Sequence, residues 1–445
     1  MKQTWAERLP RKWRSAHPNH HRILRGLLSV GAFVMAAKLV AAAKEVAVAA
    51  RYGVSGVVDA YLLAYTITTW LPTIVVSVGM SVLVPRLVRL SDEANRSRFV
   101  AELNCTMLIL SVALCALTVV AGPWLVPWMS GGLSAASKAL TRSMVAELAP
   151  LALLTLLAGF MSIRLQALEH HGYALAEAAP AVGILVFVSL ALPGSDPQPL
   201  LWGTLVGAAA QVAWTTRMTQ RANGALGGLA LRHRSPHWQG MYGALGVMAM
   251  GSLVLGLTTP VDQIFAARVG EGSVAALGYA NRIVALATGL GAVAIGRALL
   301  PVLSNAVASR EFELGRAQAV RWAWLMLLIG LVAAAVGWQL APWGVSLLFE
   351  RGSFTAADTR VVAHILRAAL LQLPVFFGGI VLVQWLAALG QFRLLLYVAT
   401  GAVIAKVALS AALIGPFGTA GIALSTAGMY LISFLQLALV TRKRQ

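Results

Sequence analysis

Ala49-Ala50-Arg51-Tyr52-Gly53 returns as Ala266-Ala267-Arg268-Val269-Gly270, and the spacing is 217 residues (268 − 51 = 217). Glu45, just before the first copy, has its counterpart in Asp262 at the same offset of 217. Pro85 returns as Pro301 (offset 216), and Ala121-Gly122-Pro123-Trp124 echoes in Ala341-Pro342-Trp343 (offset 219 at the Trp). Gln166 and Gly172 match Gln384 and Gly390, both at offset 218. Five echoes in one order at a nearly constant offset mark a duplicated unit, an arrangement common in secondary transporters.

The composition places that unit in a bilayer. The chain is 59% hydrophobic and 11% charged, whereas a soluble domain carries about a quarter charged residues. Apolar runs able to cross about 30 Å of hydrocarbon, at roughly 20 residues each, recur throughout. About twelve are expected, centred near 27–50, 57–84, 100–122, 144–164, 173–192, 199–217, 240–267, 273–300, 319–341, 361–388, 394–414 and 418–440. They are too long and too little alternating for strands. The expected fold is therefore an all-α polytopic membrane protein, two six-helix repeats around a central cavity. Cys105 and Cys115 both fall in the third run and imply neither a disulfide framework nor a metal cluster.

A net charge of +19 could suggest nucleic acid, but its distribution argues for topology instead. With the N-terminus inside, the cytoplasmic segments hold Arg86, Arg89, Arg96, Arg98, Arg217, Arg221, Arg232, Arg310, Arg316 and Arg321 besides both basic termini. The outer loops hold Arg51, Lys138, Arg142, Arg268, Arg351 and Arg360. That is the positive-inside asymmetry, and an even number of spans puts both termini in the cytoplasm. Six spans per half make the repeats parallel, related by an axis along the membrane normal. The expected organisation is a basic tail (1–22), an N-terminal lobe (23–217), a linker (218–238) and a C-terminal lobe (239–445). The tail is too long-running into its apolar segment for a signal peptide; its basic residues suit anionic membrane lipids.

Ionisable residues inside spans are costly and usually face a bundle interior or a water-filled cavity. Lys38, Lys44 and Glu45 lie in the first span, Asp59 opens the second, Asp262 lies in the seventh, and Arg282 and Arg297 lie in the eighth. Lys38 and Glu45, seven apart, share a helical face. Purely structural ion pairs would account for some of these, such as Glu45 with a lysine or Asp262 with Arg282. Yet Lys38, Lys44, Arg282 and Arg297 outnumber Glu45, Asp59 and Asp262. Surplus buried positive charge asks for an anionic ligand, and phosphate suits both ammonium and guanidinium groups. Lys38, Lys44, Arg282, Asp59 and Arg297 are thus candidates for substrate binding. Glu45, Asp262, Arg51 and Arg268, which repeat between the halves, are candidates for coupling or gating.

Enzyme signatures are missing from the sequence. No Gly-x4-Gly-Lys-Ser/Thr loop occurs. His170-His171 are adjacent rather than spaced for a helical metal pair, and no paired carboxylates or Ser/His pair mark a hydrolytic centre. Neither a catalytic residue nor a metal site is expected.

Lys38-Leu39-Val40-Ala41-Ala42-Ala43-Lys44-Glu45, with Ala49-Ala50-Arg51-Tyr52-Gly53 and Asp59-Ala60-Tyr61, resembles the opening helices of the MviN/MurJ lipid II flippases. Tyr279-Ala280-Asn281-Arg282 with Leu299-Leu300-Pro301 resembles their eighth span, and Phe349-Glu350-Arg351-Gly352-Ser353-Phe354-Thr355 their F-x-x-G-x-F loop. Ile414-Gly415-Pro416 with Gly418 and Gly421 resembles the turn before the twelfth. The resemblance runs from about residue 25 onward and extends to the larger superfamily of multidrug/oligosaccharidyl-lipid/polysaccharide exporters.

The resemblance implies a bacterial inner-membrane flippase that moves a polyprenyl-pyrophosphate-linked saccharide to the outer leaflet by alternating access. It implies that cationic residues of the first, second and eighth helices hold the pyrophosphate: Lys38 and Lys44 stand where the family commonly has arginine, and Arg282 matches outright. Departures are Asn281 in place of a common Asp, and Ile67-Thr68-Thr69-Trp70-Leu71-Pro72-Thr73 where a second-span arginine is usual. The two further helices usual in the family do not follow Arg442-Lys443-Arg444. Lipid II and an exopolysaccharide repeat unit are both open as substrate. Membrane lipids and polysaccharide or cell-wall assembly proteins are the other partners implied, and nucleic acid is not. No cofactor is expected. Na⁺ or H⁺ coupling through Glu45, Asp59 or Asp262, or membrane potential alone, would drive transport. The alternatives are a cation-coupled multidrug or metabolite exporter of the same superfamily, which should favour acids over bases in its cavity, and a non-transporting scaffold.

Overall fold

The computed structural model describes residues 18–443 except 91, 171, 193, 224–226 and 234. Side chains at 18–34, 93–94, 223, 236, 244, 247, 297, 300 and 442–443 also lie outside that description, as does the tail 1–17. Among the described residues the structure is helical, without strands. The first half comprises α1 (Pro18–Tyr52), α2 (Gly56–Arg89), α3 (Glu93–Met129), α4 (Ala135–Ala167), short α5 (Tyr173–Ala176), α6 (Ala179–Leu190) and α7 (Gln198–Asn223). The second comprises α8 (Met241–Gly256), α9 (Thr258–Val269), α10 (Ser273–Ala308), α11 (Phe312–Phe349), α12 (Ala356–Leu370), α13 (Leu373–Ala388) and α14 (Phe392–Lys443).

Nine helical segments among the described residues are long and apolar enough to cross a membrane, against the twelve expected. The difference has identifiable causes. Phe392–Thr441 counts as one segment, yet its backbone breaks at Gly418 (φ 55°, ψ −135°), just after Pro416. Gln211, Thr215 and Thr216 dilute the apolar run of α7, and α1 is described in full only from Met35 onward, a stretch that holds Lys38, Lys44, Glu45 and Arg51. Elsewhere the outward faces are apolar: Trp124, Val120, Trp343 and Leu347 are all exposed. Such surfaces suit lipid, and helices satisfy every backbone group internally there.

The repeated Ala-Ala-Arg-x-Gly has a structural explanation. In each half it ends a helix, with Ala49, Ala266 and Ala267 fully buried. The closing glycines then take positive φ, +59° at Gly53 and +137° at Gly270, so that the chain turns sharply into the next helix.

Helices α1–α7 pack mainly on one another, as do α9–α14, while α8 lies chiefly against α2. Between the halves, α2 meets α8 and α10, and α3 meets α9. Residues 227–233 and 235–240 lie against the first half: Arg86 donates to the His237 and Gln239 carbonyls (2.8 and 3.0 Å), and Trp238 Nε1 donates to Glu102 (2.7 Å). Helix α7 continues to Asn223, past the expected lobe boundary at 217.

Candidate functional site

The chemistry concentrates where α1 and α10 run antiparallel past each other. Glu45 of α1 receives Lys44 Nζ at 2.6 Å and Arg282 Nε of α10 at 2.8 Å, both on Oε1. Lys44 and Glu45 are each 14% exposed, while Arg282 is 54% exposed. One turn pair further along, Lys38 Nζ approaches Gly289, where an added Cβ would lie 3.5 Å away. Lys38 precedes Glu45 by seven residues and Gly289 follows Arg282 by seven, so two helical turns on each side keep the two levels matched. The junction itself encloses only about 20 Å³, lined from both halves by Lys44, Glu45, Tyr61, Tyr279 and Arg282.

Asp59 is fully buried and does not reach that junction. Its carboxylate accepts from Gly272 N (2.5 Å) and Ala275 N (2.7 Å), closing the N-terminus of α10 from the other half of the chain. A carboxylate there satisfies orphan amides and meets the positive end of the helix dipole. This placement differs from the expected substrate-facing acid.

The same end of the bundle is shut by backbone contacts between the halves. Ser353 N donates to Ala50 O at 2.7 Å, and Tyr279 Oη donates to Gly53 O at 3.1 Å. A Cβ on Gly53 would lie 2.5 Å from Ser353 O, and one on Gly352 would lie 2.2 Å from Ala50 O. Only glycine permits this approach. Tyr279 also packs on Phe349 and Phe354 at ring separations of 5.2 and 5.6 Å, which is the work of the F-x-x-G-x-F loop here. Ser137 Oγ donates to Glu271 Oε1 at 2.7 Å, a further bond between the halves. Glu271 lies in the loop before α10; hydrogen bonds from Ser134 and Ser137 hold its carboxyl below the usual carboxylate range.

The remaining candidates disperse. Asp262 pairs with Lys406 (2.7 Å) inside the second half, and Lys406 also donates to Thr426 (2.5 Å). The expected structural alternative of Asp262 with Arg282 is therefore replaced: Arg282 takes Glu45, and Asp262 takes a lysine 144 residues later. Arg51 donates to Ala191 O at 2.9 Å within the first half. Arg268 lies exposed with its guanidinium 5.3 Å from the Phe265 ring. The Arg297 side chain lies outside the described residues. Lys44, Glu45 and Arg282 thus come together with Lys38 nearby, whereas Asp59, Asp262, Arg51 and Arg268 take other positions. Sequence reasoning missed the partners Lys406, Glu271 and Tyr279. The Gly270-Glu271-Gly272 turn ahead of an apolar helix was the available signal for an N-terminus needing a cap.

The chain is similar to known proteins in sequence and in fold. The family model described as "Lipid II flippase MurJ" matches residues 48–445. A relative named lipid II flippase MurJ, from Burkholderia cenocepacia, is 25% identical over 449 residues, covering 95% of this chain and 84% of its own. A solved structure of the lipid II flippase MurJ in an inward closed conformation superposes with a TM-score of 0.82 at 19% identity, covering 94% of this chain and 88% of that one. An inward-facing multidrug resistance MATE family transporter of the MOP superfamily gives a TM-score of 0.72 at 16% identity, over 92% of this chain and 94% of that one. At these identities the two structures speak for the fold alone.

Proposed function

The chain belongs to the MurJ lipid II flippase family, and on that premise we propose that it moves a polyprenyl-pyrophosphate-linked saccharide from the inner to the outer leaflet of a bacterial cytoplasmic membrane. Lipid II is the member of that substrate class for which the family is named. The observation that carries the reading is Glu45, whose one carboxylate oxygen holds a lysine from its own half and an arginine from the other. A pyrophosphate has the charge and the oxygens to replace that carboxylate on Lys44 and Arg282, with Lys38 as a third cation alongside. Its binding would exchange the link between α1 and α10 for a link through substrate, coupling occupancy to the relative position of the halves.

In this reading the end of the bundle closed by Gly53, Gly352 and Asp59 faces outward, with both termini in the cytoplasm. The lipid tail stays in the bilayer while the charged head crosses between the halves. The membrane potential, negative inside, favours outward passage of an anion by about 2.3 kcal/mol per charge per 100 mV. A cation-coupled exporter needs a carboxylate free to exchange its partner. Asp59, Glu45 and Asp262 are each engaged, by backbone amides, by two cations and by Lys406 respectively. That favours the potential over coupling through these three acids.

Reconstitution tests the proposal. Protein in vesicles carrying a defined polyprenyl-pyrophosphate-linked saccharide should transfer it between leaflets, and Arg282→Ala and Lys44→Ala should insert normally yet fail to transfer. Transfer by both variants at the rate of the unaltered protein would reject it.

A further inference from the structure

The duplication has made two cavities of nearly equal size, one inside each half. The cavity in the first half measures about 490 Å³ and is bounded by α2, α4, α6 and α7. Its counterpart in the second half measures about 480 Å³, between α8, α13 and the two parts of α14. Their linings correspond in part at the repeat offset of 218: Ser162 stands where Ile380 does, Glu177 where Leu395 does, and Gln211 where Met429 does, while the α2 wall of the first has no α10 counterpart in the second. The scaffold therefore explains that both cavities exist. It does not explain why three positions polar in one are apolar in the other.

We infer that the cavity in the first half is a saccharide-binding subsite. Ser162 lines it, is 2% exposed, and its hydroxyl has no hydrogen-bond partner among the described residues. A buried hydroxyl without a partner costs free energy that a ligand hydroxyl can recover. Thr155, Gln211 and Tyr65 add groups that donate and accept, matching the dual character of sugar hydroxyls. Glu177 would repel an anion, and Lys44 would repel a cation, so a neutral polar ligand is the one both tolerate. The volume falls in the usual range of about 300–1,000 Å³ for small-molecule sites. Lys44 belongs both to this cavity and to the junction with Glu45 and Arg282, and it spends one of its three N–H donors on Glu45. A sugar head seated in the first half would thus leave its pyrophosphate beside the junction. The inference rests on the proposed transport reading, and names which half receives the head.

Two measurements on the full chain test it. In a background of Cys105→Ser and Cys115→Ser, labelling of Thr155→Cys by a small thiol reagent should slow at least threefold with a soluble disaccharide, either diacetylchitobiose or cellobiose. Ala399→Cys in the apolar counterpart should label at an unchanged rate. Protection by the first sugar alone points to an amino-sugar head and by either to a general glycan; no protection at Thr155→Cys, or equal protection at both sites, overturns the inference. In vesicles, Thr155→Phe and the gentler Gln211→Leu should each lower transfer of the lipid-linked saccharide at least tenfold. If unaltered protein transfers substrate and both variants match it, the subsite is wrong and the transport reading stands. If unaltered protein transfers none, the transport reading fails, and the labelling alone decides the subsite.

Discussion

Glu45 of α1 and Arg282 of α10 meet at 2.8 Å, although 237 residues separate them (282 − 45 = 237) and each belongs to a different half of the duplicated scaffold. The repeat copies Glu45 into Asp262, but Arg282 has Tyr65 at the corresponding position (282 − 217 = 65). The scaffold is symmetric and its charge chemistry is not. Removing the acid should therefore have a directional effect. Glu45→Gln leaves Lys44 and Arg282 without their shared carboxylate, and should abolish substrate transfer while costing less than the roughly 3–5 kcal/mol of a fully buried pair, because Arg282 is half-exposed. Thermal unfolding in detergent beside vesicle transfer separates the two effects.

Lys406 and Asp262 make the opposite case, a buried pair within one half. Lys406→Met leaves a carboxylate in an apolar bundle without its cation, with an expected loss of roughly 3–5 kcal/mol. Adding Asp262→Leu should restore most of that stability. A double variant no more stable than Lys406→Met would show that the pair is not coupled as the geometry indicates.

The gate can be tested through glycine. A side chain on Gly352 must displace Ala50 O, and one on Gly53 must displace Ser353 O. Gly352→Ala should therefore hold this end apart without unfolding either half. Spin labels on Ala136→Cys and Ala357→Cys, both exposed positions flanking the gate, should report a longer distance than in the parent.

Asp59 should act on the same equilibrium. Asp59→Ala removes the cap on α10 at an expected cost of about 1 kcal/mol, within the 0.5–2 kcal/mol range of capping residues. That cost falls only on the state in which the halves meet, so the same label pair should shift toward the longer distance. Asp59→Asn, which still accepts one hydrogen bond, should shift it less.

Glu271 predicts the pH dependence of that contact. Its carboxyl is held low by Ser134 and Ser137, so its contribution is present above the ordinary glutamate value of about 4.3 and is lost as pH falls through the lower folded value. In an Asp59→Asn background, which removes the other carboxylate at this contact, the label distance should be constant from pH 8 to pH 5. Ser137→Ala should move the onset of opening toward higher pH, and a profile identical to the parent would exclude this bond from the gate.

Much of the fold was legible because the repeat and the apolar periodicity record local requirements: buried alanines at a helix end, then a glycine to turn. The cluster of Lys44, Glu45 and Arg282 was legible as surplus charge in matching spans. Its pairing was not, since which acid meets which base depends on the facing of helices far apart in sequence. Nothing in the residue pattern ties Lys406 to Asp262, 144 residues earlier, and only packing brings the two together. Asp59 was legible as a buried acid but not as a cap, because its partners are backbone amides that leave no mark on residue identity.

The central claim is that pyrophosphate takes the place of Glu45 on Lys44 and Arg282. Binding of polyprenyl pyrophosphate and of the matching polyprenyl alcohol to the purified protein measures it directly. The account predicts that the pyrophosphate binds more tightly, and that Arg282→Ala weakens it at least tenfold, about 1.4 kcal/mol, while leaving the alcohol unchanged. Equal affinity for the two lipids, or a pyrophosphate affinity indifferent to Arg282→Ala, would contradict it.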